Sequence, residues 1–231
     1  MNRTVSVVRL HLVNIREVAG VPWMVTAGAF AIILMIAGAM RWAGIDDTPY
    51  NGAISSLMVS TGVVLAMAAT QRFALAIGLG FGRSVYLAGT ALLAVGISVA
   101  FGAIVWLLSL IERATDGWWL GAPFFRPAIL PDSEAATLLC MVAVMLLSTT
   151  LGLFLGALYR RWRAPGLYVL SLTVLLLSGL SVAVITRWEA WSAVGQWFAE
   201  TPRLVLLGAV PAGCALLAML ASVAVLRHAE P

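Results

Sequence analysis

The stretch VYLAGTALLAVGISVAFGAIVWLLSLI, from Val85 to Ile111, runs for 27 residues without a charged side chain or a proline. A bilayer-spanning helix needs about 20 mostly apolar residues, whereas a membrane β-strand alternates and stops near ten. Unbroken apolarity at this length predicts a transmembrane α-helix, which satisfies its own backbone polar groups away from water. As a helix it is roughly 40 Å long, against a hydrocarbon core of about 30 Å, so it must tilt or project.

Working outward, five more runs of this kind appear, giving six predicted spans at about 21–40, 50–70, 85–111, 134–158, 166–186 and 203–226. Helix-start signals mark several boundaries: Thr201-Pro202 before the sixth span, Pro131-Asp132-Ser133-Glu134 before the fourth, and Thr48-Pro49 near the second. The first run follows a polar lead and precedes Arg41-Trp42 rather than a small-residue cleavage site, so it reads as a retained span and not a secretory leader. With 62% hydrophobic and 10% charged residues and a mean hydropathy of +1.01, residues 1–231 read as a single all-α integral membrane domain.

All 14 basic residues are arginine, and their placement predicts an orientation. With the N-terminus inside, the inner segments hold nine arginines and two acids, and the outer segments five arginines and eight acids. The positive-inside rule then places both termini in the cytoplasm. The basic pI is thereby assigned to a fringe facing anionic membrane lipids rather than to a nucleic-acid surface. Trp42, Trp118, Trp119, Trp188, Trp191 and Trp197 fall on the outer side, where indoles anchor at the interface.

Inside the six runs, past their first residues, there is no Asp, Glu, Lys, Arg or His. That disfavours a proton-coupled carrier, which places such groups at membrane depth. His11 and His228 stand in the terminal segments and read as surface polar residues, while Cys140 and Cys214 sit in apolar runs. No catalytic residue, metal site or cofactor is therefore assigned. Gly78-Leu79-Gly80-Phe81-Gly82 lacks the Lys-Ser/Thr of a phosphate-binding loop and lies between two spans, so any ATP hydrolysis belongs to another chain.

Residues 1–20 form an amphipathic cytoplasmic segment. On a helix, Val5, Val8, Leu12, Ile15 and Val18 share one side and Ser6, Arg9, Asn14, Arg16 and Glu17 lie largely opposite, which suits an interfacial helix. The inner connection from Gln71 to Ser84 reads as a short amphipathic helix ending at glycines, either an ordinary interfacial loop or a docking helix for a cytoplasmic partner. Arg187 to Glu200 reads as a short aromatic outer helix or a plain aromatic anchor. Gly152 and Gly156 form a GxxxG, and Ser171, Ser178 and Ser181 repeat along the fifth span, as a packing seam, a subunit interface or a polar substrate path. Pro211 interrupts the sixth span, freeing the Leu207 carbonyl and offering a hinge.

The stretch from Arg72-Phe73-Ala74-Leu75-Ala76-Ile77-Gly78 through Arg83-Ser84-Val85-Tyr86-Leu87-Ala88-Gly89-Thr90 is similar to the inner loop of small bacterial permeases. With six spans, inward termini and an amphipathic lead, the chain resembles the permease subunits of type-2 ABC exporters. The resemblance implies a multi-pass protein of the bacterial cytoplasmic (inner) membrane that pairs with a second permease, identical or not, and two ATP-binding cassette subunits. It places Arg72, Phe73, Ala74, Leu75, Gly78, Gly80, Gly82 and Arg83 at the ATPase-docking loop. The long outer loop from Glu112 to Glu134 and the brief connection between the last two spans depart from that pattern. The expected function is export of an amphipathic or apolar compound, a drug, peptide or lipid-like molecule, powered by the separate ATPase. A non-transporting membrane anchor or regulatory protein is the alternative, followed by a secondary transporter.

Overall fold

A computed structural model describes residues 3–13, 15–45 and 54–227. The boundary at Thr48-Pro49, with Asn14, Asp46, Asp47 and His228, lies outside the described residues. Among those described, the regular structure is entirely helical: α1 (Arg3–Leu12), α2 (Arg16–Trp42), α3 (Ser55–Gly78), α4 (Arg83–Ala114), α5 (Glu134–Arg187), α6 (Trp191–Glu200) and α7 (Val205–Arg227). Five of these, α2, α3, α4, α5 and α7, are long and apolar enough to cross a membrane.

The fourth and fifth expected spans arrive as one helical element, α5, of 54 residues. Its backbone leaves helical geometry at Arg163, with φ 56° and ψ −152°. A Cβ on Gly166 would stand 3.6 Å from the Leu158 carbonyl oxygen, although eight residues of straight helix rise about 12 Å. The chain therefore turns sharply at Arg163, where Pro165 removes a backbone donor. A second observation agrees. Gly208 of α7 lies against the Cys140 sulfur, and Leu226 shares a buried cluster with Ala157, so α7 runs alongside the first arm of α5 in the same direction. Between these ends the second arm has to travel back.

Small residues set the packing. Gly152 of α5 meets the backbone of Gly62 in α3 so closely that a Cβ would overlap the Gly62 carbonyl, and Gly156 lies in the same way against Ala66. Gly102 of α4 packs on the Val142 backbone, where a Cβ would come within 2.8 Å. The GxxxG thus serves a seam inside the bundle, as small residues do where helices lack a hydrophobic drive to associate in lipid. Around these contacts Leu57, Leu65, Leu93, Phe101, Met145 and Leu153 form the core. Two hydroxyl contacts cross between helices: Ser98 bonds Thr149 at 2.9 Å, and Ser148 donates to the Met58 carbonyl.

Other parts of the chain are barely covered. α2 buries the stripe Val18, Pro22, Thr26 and Ala37 and leaves Met24, Ile32 and Met35 exposed. From 159 to 207 no described residue is buried. Pro211, expected as a kink, is buried in α7, and the five-residue turn before it, Val205–Ala209, is π-helical. The wider turn absorbs the missing proline donor without ending the helix.

Candidate functional site

The described charges collect at two ends of the bundle. At one end α1 lies across α4, so close that a Cβ on Gly89 would meet the Val7 side chain at 2.6 Å. The face that packs is Val7 and His11, both fully buried. This corrects one expectation: His11 is not a surface residue. Of the apolar side, Val5, Leu12 and Ile15 are exposed, Val8 is partly covered and Val18 is buried. Gly89 admits α1 with the Val7 edge turned inward.

His11 organises its surroundings. Its Nε2 is 3.2 Å from Thr90 Oγ1, and its carbonyl accepts a 2.8 Å bond from Arg72 Nη1. Arg72 also pairs with Glu17 at 3.3 Å. Tyr86, 5.7 Å from the His11 ring centroid, donates to the Ala68 carbonyl at 2.8 Å and stacks edgewise on Phe73. Arg160 lies over the Phe73 ring and donates to the Thr70 carbonyl. Burial, and after it the Arg72 charge, pushes the His11 imidazole down to about 4, so it is neutral near pH 7.

The eight residues of the expected docking loop divide accordingly. Arg72 and Phe73 close a π-helical turn, Ala68–Arg72, and start the last turns of α3; Phe73 is fully buried and Arg72 engaged inside the chain. Ala74, Leu75, Gly78, Gly80, Gly82 and Arg83 are exposed. The connection proper is reduced to 79–82, with Gly80 at φ 80°, a left-handed turn that glycine adopts without strain. Arg83 donates to the Arg227 carbonyl at 2.9 Å, tying the end of α7 to the start of α4.

The opposite end is capped by the segment from Thr115 to Ser133. Glu112 is buried there, and its carboxylate accepts four bonds: Trp118 Nε1 at 2.9 Å, and the backbone N–H of Phe124, Phe125 and Arg126 at 2.8, 2.8 and 2.9 Å. Glu134 takes Arg113 at 2.6 Å and Arg126 at 3.1 Å. Phe30, Trp118, Phe124 and Phe125 pack edge to face beneath the cap, and Arg41 and Arg203 donate to the carbonyls of Trp119 and Leu130. From the sequence alone Glu112 is one of eight outer acids. One signal was available: a carboxylate in the last turn of a long helix opposes the helix dipole, so it needs donors from elsewhere.

Ser171, Ser178 and Ser181 are exposed on the second arm of α5, and the last two bond back to their own helix at Leu175 and Leu177. The start of that arm packs back on the first arm, where a Cβ on Gly166 would meet Trp162 and Leu158, and the three serines lie beyond that contact in the sequence. Compared with known protein families, with characterised proteins and with solved structures, the chain matches none.

Proposed function

We propose that this chain is the membrane-spanning permease subunit of an ATP-driven exporter of amphipathic or apolar compounds, working with a separate ATP-binding cassette subunit and a second permease in a bacterial cytoplasmic membrane. The end bearing His11, Arg72, Arg160 and Arg83 is the cytoplasmic one, and both arms of α5 cross the membrane to make six spans. The supporting observation is the tip of α3. Leu75 and Leu79, 52% and 60% exposed, project beside Arg83 from a turn whose base is anchored by Phe73 and Arg72. An exposed apolar tip on a rigid base suits a protein partner that pushes on the bundle.

This reading moves the partner contact from Arg72 and Phe73 to Leu75, Gly78, Leu79 and Arg83. Co-purification with the adjacent ATPase, and vanadate-sensitive ATP turnover, test it. Leu75→Asp with Leu79→Asp abolishes the complex and leaves the chain folded. If complex and turnover survive that pair of changes, the assignment is wrong.

The alternative, a membrane anchor that transports nothing, is supported by the interior itself. The Gly62–Gly152 and Gly102–Val142 contacts bring the helices together at their backbones. A subunit that assembles without an ATPase favours the anchor.

A further inference from the structure

Beneath the cap at the Glu112 end lies a half-open cavity of about 170 Å³ between α3, α4, the first arm of α5 and the start of α7. Its floor is Val105, Phe125, Cys140, Met141 and Met145, all buried, and its mouth lies at Pro127 and Ile129, both exposed. No charged side chain lines it. A sealed apolar cavity of about 150 Å³ binds benzene, so this one, open at its mouth, has room for a comparable hydrocarbon. Met58, Met141 and Met145 give it walls that adjust to an occupant, since unbranched thioether side chains repack readily.

The rim supplies the second half of the argument. Arg126 precedes the mouth residue Pro127, and Arg203 bonds the Leu130 carbonyl of the lining. Glu134 is shared by Arg126 and Arg113, and Glu112 is committed to its four donors, which leaves Arg203 without a carboxylate partner among the described residues. We infer that this cavity holds the end of an alkyl chain of an anionic amphiphile, with the acidic headgroup held at the mouth by Arg203. The uncharged lining suits an alkyl end, and in the proposed six-span arrangement the mouth, at the cap end of the bundle, falls at headgroup level. The site does not depend on ATP-driven transport, because binding requires only this chain.

The test uses the full chain reconstituted in phosphatidylcholine vesicles with palmitic acid carrying a terminal diazirine. After irradiation and digestion, adducts are mapped by mass spectrometry. Adducts on 140–145, Val105 or Phe125, displaced by excess unlabelled palmitate, are expected. Val144→Phe fills the wall and removes room for about two methylenes, which lowers that labelling by about fifteenfold. Leu172→Phe, on the bare arm of α5, leaves it unchanged. Arg203→Ala weakens labelling by the acid about tenfold and leaves the matching alcohol probe unaffected. Labelling confined to the exposed faces of α5 and α7, or cavity labelling that excess palmitate does not displace, overturns the site on the unaltered chain. Equal capture of acid and alcohol overturns the role of Arg203.

Discussion

Glu112 and His11 show what a single buried polar residue does in a chain this apolar. Glu112 stands two positions before the end of α4, where the helix's own carbonyls repel an anion, and it is stable there because four N–H groups of the cap converge on it. Glu112→Gln keeps the size but removes the charge and turns a donor toward other donors. The expected result is a cap that detaches and a loss of about 3 kcal/mol, read as a lowered melting temperature with faster proteolysis between 115 and 133. His11 carries a pH dependence. With α1 detached, its pKa is near the ordinary 6.5, whereas docked it is about 4. Above 6.5 both states are neutral and His11 contributes nothing. As the pH falls from 6.5 toward 4 the detached state alone binds the proton, so docking weakens, by at most about 3 kcal/mol, and levels off below 4. Hydrogen exchange of residues 3–12, corrected for intrinsic rates, should rise between pH 7 and pH 5, and His11→Leu should remove that dependence. Neither residue's surroundings were legible in the sequence, because each depends on segments far along the chain: Thr90 for His11, and 124–126 for Glu112.

Element identity was more legible than element faces. Runs of apolar residues long enough to span a bilayer decide helix over strand by themselves, and Ser133, extended just before Glu134, opens α5 where the sequence signals placed it. Which side of a helix packs depends instead on where a partner offers room. Gly89 draws Val7 inward although Val5, Leu12 and Ile15 form the more regular apolar side. The GxxxG of α5 was readable as a seam, but its partner Gly62 was not, since one small residue in α3 carries no periodic signal. That seam is testable. Gly152→Leu forces α3 and α5 apart at a contact that tolerates no Cβ, and should cost about 3 kcal/mol or more, against less than about 1 kcal/mol for Gly179→Leu, where space is open. Thermal unfolding in detergent compares the two.

At the scale of the whole molecule the decisive feature is the turn at Arg163. Counting apolar runs gives six spans, whereas counting membrane-length helical elements, with the kinked α5 taken as one, gives five, and the two counts put the C-terminus on opposite sides of a bilayer for a given N-terminus. The even count is the one we propose. The ends of α4 and α7 are tied together by Arg83 and Arg227, α7 runs parallel to the first arm of α5, and 159–207 must therefore cross the full height of the bundle with no buried residue. An all-apolar helix without a protein partner is at home only in hydrocarbon or against another subunit. Arg160, Arg161 and Arg163 at the turn then fall on the same side as Arg72 and Arg83, in keeping with a basic cytoplasmic fringe. With Cys140 and Cys214 replaced by Ala, single cysteines at Leu79, Arg161, Glu189 and Arg227 decide the matter through a membrane-impermeant maleimide applied to intact cells. Glu189→Cys should label from outside, and Leu79→Cys, Arg161→Cys and Arg227→Cys only after the membrane is opened. Labelling of Arg161→Cys and Glu189→Cys from opposite sides requires the second arm to cross; equal access of both from one side would leave that arm lying along the membrane surface and reduce the protein to five spans.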